Sequence, residues 1–267
     1  MSKRDWIDVA SQPDERNIPI DKVGVKNVRY PIKVLDRSRG TQSTVAAFNM
    51  YVSLPHSFKG THMSRFIEIL NEHRGEISTK NFKQVLREIR HRLDAEAAHL
   101  EVEFPYFIEK QAPVSKAMGL MEYRCSIVGT LRADRYDVVV TVRVPVTTLC
   151  PCSKAISERG AHNQRGTVSI SFRFDSLVWI EEIIELAEGS ASSAVYSILK
   201  REDEKYVTEH AFDNPVFVED VVRNVAQRLR EMAHITWYAV EVENDESIHN
   251  HSAYAYVEHD KREADGR

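Results

Sequence analysis

The sequence predicts an α+β fold made of two tandem modules, each a four-stranded antiparallel sheet with helices on one face. Three observations predict it. Segments in which apolar and polar residues alternate come in consecutive pairs, as half-buried strands do. Between the pairs lie stretches whose apolar residues recur at helical spacing. The order strand-strand, helices, strand-strand is then performed twice, with a seam near Ala133 to Arg135, so residues 1–133 form the first module and 134–267 the second. The halves share this pattern without obvious residue identity, so the repeat is one of architecture. With 267 residues, 42% of them hydrophobic, the chain is long and apolar enough to bury a substantial core.

The first twenty or so residues are polar, carry prolines and read as an irregular arm. "VRYPIKVLD" alternates Val28, Tyr30, Ile32 and Val34 with polar or Pro positions, and "TVAAFNMYVSL" follows the turn-like "RSRGTQ", giving two strands. Pro31 lacks an N–H for a second neighbour, so the first strand is expected at an edge. Two helices follow. The first carries Met63, Phe66, Ile67 and Leu70; the second is expected to start near Ser78 as N-cap and to stripe Phe82, Val85, Leu86, Ile89 and Leu93 along one face. "LEVEFPYFIEK" and "GLMEYRCSIVGTLRAD" return to period two as the third and fourth strands. In the second half "RYDVVVTVRVPV" and "GTVSISFRF" are strands, the latter turning Val168, Ile170, Phe172 and Phe174 to one side. Helical segments are expected over 177–204 and 215–233. In the latter Val218, Val221, Val222, Val225, Leu229 and Met232 form one stripe, with Asn214 as cap and Pro215 in the first turn. "ITWYAVEVEN" and "HSAYAYVEH" close the chain as a hairpin.

A four-stranded sheet standing alone exposes two edges of unpaired backbone groups, and several such sheets closing into a ring remove them. A homo-oligomer is therefore expected. The 36 basic and 40 acidic side chains give a net charge of −4 with no sustained Lys/Arg run. That argues against a general nucleic-acid binder and leaves room for a small anion held by a few local cations. The longest apolar runs, "DVVVTVRVPV" and "WIEEIIELAE", are too short or too interrupted by charge to cross a bilayer, and "MSKRDWIDVASQPDER" has no apolar signal core, so a cytoplasmic protein is expected. Cys125, Cys150 and Cys152 are odd in number, and the last two are too close in sequence to bridge without strain, which argues against a disulfide scaffold.

The stretch "TTLCPCSKAISERGAHNQRG" joins two predicted strands, so Cys150 and His162 lie at the same sheet end. Thiolate, imidazole and carboxylate groups are good ligands for a divalent metal, and three protein ligands leave one position open for water. Cys-x-Cys is not a zinc-knuckle spacing, and no second cysteine pair completes a structural four-cysteine site, which favours an open one; an inert cysteine and a solvated loop histidine are the alternative. A third ligand would come from elsewhere. "KREDEKYVTEH" offers Glu202, Asp203, Glu204 and His210, although a charge run also suits a solvated helix end. Glu219 falls within the first turns of the last long helix, where it equally favours the dipole. "ENDESIHNHSAY" is a polar hairpin tip containing His249 and His251. In "SLPHSFKGTHMSRF", Lys59, His62 and Arg65 surround a helix start, an arrangement that suits an anion such as a phosphate-bearing substrate.

The cysteine stretch, together with "KGTHMSRF", "VTEHAFDNPVFVEDVVR" and "ENDESIHNHSAYA", resembles the type IB GTP cyclohydrolases, prokaryotic enzymes that open folate synthesis, and the resemblance covers essentially the whole chain. It implies the tunnelling fold, with two modules per subunit oligomerising into a barrel as a homotetramer. It implies conversion of GTP and water to 7,8-dihydroneopterin triphosphate and formate. The same resemblance makes Cys150, His162 and Glu204 the ligands of a divalent metal ion (zinc, manganese or iron), Glu219 the carboxylate that anchors guanine, and Cys152 and His249 polar participants near the reacting carbon. Lys59, His62 or Arg65 would hold the triphosphate end. Ala155, Arg159 and Gly166 carry no assigned role.

Three rival readings remain in view. A deazaguanine nitrile reductase of the same fold uses a cysteine thioimide and NADPH but needs no metal, so the His162 and Glu204 set argues against it. A zinc deaminase would carry His-x-Glu and Pro-Cys-x-x-Cys, which this sequence lacks. A non-catalytic purine-binding oligomer would hold its metal through protein ligands only, away from substrate.

Overall fold

A computed structural model of the chain describes residues 8–10, 12–73 and 81–264. Strands β1 (Ile20–Asp36) and β2 (Gly40–Leu54) form an antiparallel hairpin. Alternation buries Ala46, Phe48, Met50, Val52 and Leu54 on one face of β2. β1 begins eight residues before the predicted Val28, and its register shifts between Ile20 and Val23 and again between Val25 and Val28. Those irregularities interrupt the period-two signal that marks the rest of the strand. Pro31 stands opposite Val45, and among the described residues β1 pairs with β2 alone, an edge position. At the turn the Asp36 carboxylate accepts the backbone N–H groups of Ser38 and Arg39.

Helix α1 (Met63–Glu72) buries Phe66, Ile69 and Leu70, so the stripe is rotated from the predicted one: Met63 is exposed and Ile67 half-buried. α2 (Phe82–Arg92) buries its four predicted apolar residues and Leu93 just beyond. The expected start at Ser78 lies outside the described residues. β3 (Ala97–Gln111), β4 (Met118–Arg132) and β5 (Arg135–Leu149) follow. Gly129 on β4 makes room for α2, because a Cβ there would lie 2.5 Å from the Phe82 ring.

The chain forms two compact units, Met1–Phe104 with Ser126–Val139, and Pro105–Cys125 with Val140–Arg267. Each takes a part of β3, β4 and β5, so the units interleave along the sequence. In the first, strands run in the order β1-β2-β3-β4-β5. In the second the order is β3-β4-β5-β6-β8-β9, with β6 (Asn163–Phe174), β8 (Ile235–Asp245) and β9 (Ser252–Asp260); the pairs from β5 onward are antiparallel. Its inner face carries Val142, Val144, Val168, Ile170, Val240 and Val242, all buried. Helix α6 (Val218–Glu231) lays Val218, Val221, Val222, Val225 and Leu229 over β8 and β9. Each such side chain contributes about 1.5–3 kcal/mol by leaving water. Met232 is half-buried at the helix end.

Two expectations for the second unit are corrected. The stretch 177–204 is not helical throughout: α4 (Ile180–Glu188) stops at Gly189, Ser193–Ala194 form β7 against Val146 and Thr147 of β5, and α5 spans Arg201–Asp213. Gly189 and three serines are poor helix formers, and the serines bond backbone instead: Ser190 Oγ donates to Leu186 O at 2.7 Å, and Ser192 Oγ accepts from Leu149 N at 3.0 Å. Asn214 does not cap α6 and Pro215 is not in its first turn. Asn214 is the C-cap of α5 and donates to Ala191 O, while α6 starts at Val218 and is capped by Asp220 accepting from Phe217 N.

Buried polar bonds tie these pieces together. Lys110 Nζ lies 2.6 Å from Glu188 Oε1, which also accepts from the Tyr123 hydroxyl. Asp203 at the start of α5 is fully buried and accepts from Val114 N, Ser115 N, Ser115 Oγ and Lys200 N, clipping the helix to the β3–β4 hairpin tip. A short terminal helix, α7 (Lys261–Ala264), brings Lys261 Nζ onto the last carbonyls of α6. Among the described residues no helix is long and apolar enough to cross a membrane.

Candidate active site

The site grows from the end of the β5–β6 ladder. Leu149 pairs with Asn163, and one residue beyond, Cys150 N donates to His162 O at 3.1 Å, so the two residues are juxtaposed by register. Cys150 turns extended and becomes the N-cap of a six-residue helix, α3 (Pro151–Ile156). Pro151 fits there because its fixed φ is helical and its missing N–H is not needed. The Cys150 sulfur accepts from Ser153 N at 3.4 Å. Ser153 also buckles the loop: its hydroxyl donates to Cys150 O and accepts from His162 N.

On the far side, His162 Nδ1 lies 3.1 Å from Gln164 Oε1, and 3.9 Å from Glu246 Oε2. A proton on Nδ1 donated to Gln164 leaves the Nε2 lone pair as the ring's ligating atom. Glu219 enters from the first turn of α6, one residue before the capping Asp220. That helix start is held beside the cysteine loop because Val216 N donates to Leu149 O at 3.2 Å. His249 and His251 come from the hairpin tip between β8 and β9, their rings stacked at 5.0 Å and 15°.

Cys150, His162, Glu219 and His249 line one cleft of about 290 Å³, entirely within the second unit. The same cleft is lined by Gln164, Asn244, Glu246 and His251, to which the sequence alone attached no role. Two of these had a usable signal. Gln164 follows His162 by two on one strand, and His251 follows His249 by two. Asn244 and Glu246 stand in the run "ENDESIHNHSAY", but nothing in it singles them out, and the place of Asn244 depends on how β8 registers against β6.

Other predicted residues stand elsewhere. Cys152 is exposed on α3, and Glu204 is exposed in the first turn of α5; neither lines the cleft. Among the described residues no three His, Cys, Asp or Glu side chains of the chain are grouped to hold a metal ion. The sulfur of Cys150 and the imidazole of His162 are nonetheless a donor pair suited to a borderline-soft divalent ion. His62 and Arg65 line a second cleft, of about 180 Å³, built from residues of the first unit alone. There His62 Nε2 lies 3.1 Å from Asp8 Oδ2, and Arg65 donates to Arg92 O, at the end of α2. Lys59 is exposed next to that cleft's Phe58 and Gly60. Cys125 is buried, and burial pushes its thiol well above the usual range, which keeps it protonated and inert.

Residues 6–255 match a family model described as type I GTP cyclohydrolase FolE2. A protein named GTP cyclohydrolase FolE2 from Syntrophotalea carbinolica is 59% identical over 258 residues, covering 97% of each chain. One of the same name from Syntrophus aciditrophicus is 60% identical over 252 residues, 94% of this chain and 99% of that one. Among solved structures, a uricase from Bacillus fastidious superposes with a TM-score of 0.56 at 8% identity, covering 95% of this chain and 96% of that one. Urate oxidase from Bacillus sp. TB-90 gives 0.54 at 8% identity, covering 90% and 100%. At such low identity the likeness carries the fold alone, the tunnelling fold.

Proposed function

The chain belongs to the type I GTP cyclohydrolase FolE2 family, and from that premise we propose that it is a GTP cyclohydrolase of type IB working in the cleft of its second unit. It converts GTP and water to 7,8-dihydroneopterin triphosphate and formate, the entry to folate synthesis. The observation that carries the reading is the convergence of Cys150, His162, Glu219 and His249 on one cleft from four separate chain segments.

Cys150 and His162 would hold a divalent ion, zinc, manganese or iron, with Glu204 as third ligand. Such an ion makes water a nucleophile at neutral pH. Glu204 does not line the cleft in the single chain, and assembly into a homotetramer is the proposed route by which the ligand set is completed. The remaining work falls to side chains. The Glu219 carboxylate accepts the N1–H and one N2–H of guanine, fixing the base with C8 toward the metal ligands. Hydrolysis at C8 opens the imidazole ring to a formamide, and a second hydrolysis releases formate. His249 supplies and removes protons at the ring nitrogens in these steps, with Cys152 assisting. After ribose rearrangement the freed amine attacks the sugar-derived carbonyl and water leaves, so two waters enter and one departs. Lys59, His62 or Arg65 is the candidate for the triphosphate end, and a substrate restrained at both ends brings amine and carbonyl together.

The test strips the protein of metal, adds back zinc or manganese separately, and assays formate alongside pterin fluorescence after oxidation. Metal-dependent formate with a fluorescent pterin is expected, and Cys150→Ala is expected to lose bound metal and turnover while remaining folded. A folded oligomer that yields neither product with any metal would overturn the reading.

A further inference from the structure

Asn244, near the end of β8, is 1% exposed yet lines the cleft. Its Nδ2 donates to Thr148 Oγ1 at 2.9 Å, so the side chain reaches from β8 across β6 to β5. The residue it crosses is Gly166, its direct partner on β6. A Cβ at Gly166 would lie 2.1 Å from Asn244 Oδ1, so the carboxamide occupies space that only glycine leaves open. The Oδ1 atom has no hydrogen-bond partner among the described residues.

A buried carbonyl oxygen without a donor is uncommon in a native fold and costs free energy. Here it is also fixed in place, because the Nδ2 bond to Thr148 sets the carboxamide's orientation over Gly166 at the floor of the cleft. We propose that Asn244 is a specificity-determining residue that accepts a hydrogen bond from the exocyclic amine of a 2-aminopurine nucleotide. This rests on reading the cleft as a guanine-nucleotide site. The two oxygens of Glu219 satisfy N1–H and the adjacent N2–H; the second N2–H points away from that carboxylate and needs another acceptor. Asn244 Oδ1 matches a donor that the Glu219 anchor leaves unmet. The structure thereby gives Gly166 and Thr148, at the two ends of the cysteine loop, a shared task.

The metal-loaded protein and its Asn244→Ala variant are compared on GTP and on inosine triphosphate, which lacks only the 2-amino group. For the variant, kcat/KM is expected to fall about tenfold to a hundredfold with GTP and less than about threefold with inosine triphosphate. A fall by the same factor on both nucleotides would mean a structural role, or a contact to another part of the base, and overturns the proposal. Thr148→Val keeps the side-chain volume and should show the same selective loss on GTP to a smaller degree, which covers the case in which Asn244→Ala does not fold. If neither nucleotide is turned over, the cyclohydrolase reading has failed, and equilibrium binding of the two nucleotides decides the proposal. Selective loss of guanine nucleotide by the variant upholds it; equal affinities, or no binding of either, overturn it.

Discussion

Replacing Gly166 by alanine probes the join between fold and site. The added Cβ would stand 2.1 Å from Asn244 Oδ1, 3.2 Å from its Cγ and 3.3 Å from Glu243 O. The last contact is relieved by a few tenths of an ångström, but the first requires the carboxamide to leave. Asn244 is 1% exposed, so its carboxamide has little free space to move into, and leaving breaks the bond to Thr148. Losing that hydrogen bond costs about 1 kcal/mol, and forcing a side chain into a filled interior costs about 1–3 kcal/mol, so Gly166→Ala should destabilise by about 2–4 kcal/mol. With an m-value near ~3 kcal/mol/M, the urea midpoint should fall by about 1 M at fixed protein concentration. The decisive comparison repeats the substitution in an Asn244→Ala background, where the obstacle is gone. There alanine should be neutral or slightly stabilising, because glycine in a strand is itself unfavourable by about 0.5–1 kcal/mol. The coupling between the sites should thus exceed about 1 kcal/mol. Equal costs in both backgrounds would refute the reasoning, since the strain would then come from somewhere other than Asn244.

Glu219→Gln should lower kcat/KM for GTP by about tenfold to a hundredfold, because one charged acceptor becomes a donor facing the base, while stability falls by no more than the ~0.3–1 kcal/mol that a carboxylate in a helix's first turn contributes; unchanged kinetics would remove the anchor role. Lys110→Met should cost about 3–5 kcal/mol in urea unfolding, since it leaves the Glu188 carboxylate without its counter-ion, held by the neutral Tyr123 hydroxyl, in a setting where both partners are only 14% exposed; a cost below about 1 kcal/mol would mean solvent reaches Glu188. His99 gives a pH signature. Burial, aided by the charges of Lys22 and Arg132, holds its imidazole below the usual 6.5. The unfolded chain therefore takes up that proton first, so stability present above about pH 6.5 should be lost as pH falls toward the folded-state value. His99→Gln should flatten the melting temperature over that range, and an undiminished slope would assign the acid sensitivity elsewhere.

The strands were legible because each has one buried face, so period two is written along β2, β4, β6 and β8 without help from distant residues. Helices α2 and α6 were legible through their stripes. The stretch between α4 and α5 was not, because Ser193 and Ala194 become a strand only by meeting Val146 and Thr147, nearly fifty residues earlier. The cap of α6 is hidden for a similar reason: Asn214 has two helix ends within reach, and the contact with Ala191 O chooses between them. In the site, Cys150 and His162 were readable as a pair because the strands joined by their loop close at those residues. Asn244 and Gly166 were not, since neither residue type means anything until β6 and β8 are in register.

The clip between Asp203 and the β3–β4 hairpin tip restricts how the molecule can be altered. A hairpin tip is ordinarily where a chain takes up extra residues with little penalty. Here Val114 N and Ser115 N are donors to a buried carboxylate, and Ser115 Oγ makes a third bond to it. Lengthening that turn, to carry a label or a peptide epitope, would withdraw those donors together and release the first turn of α5, where Glu204 sits. An outwardly innocuous loop is thus closed to insertion, and a reporter grafted there would report on a helix it had itself unfastened.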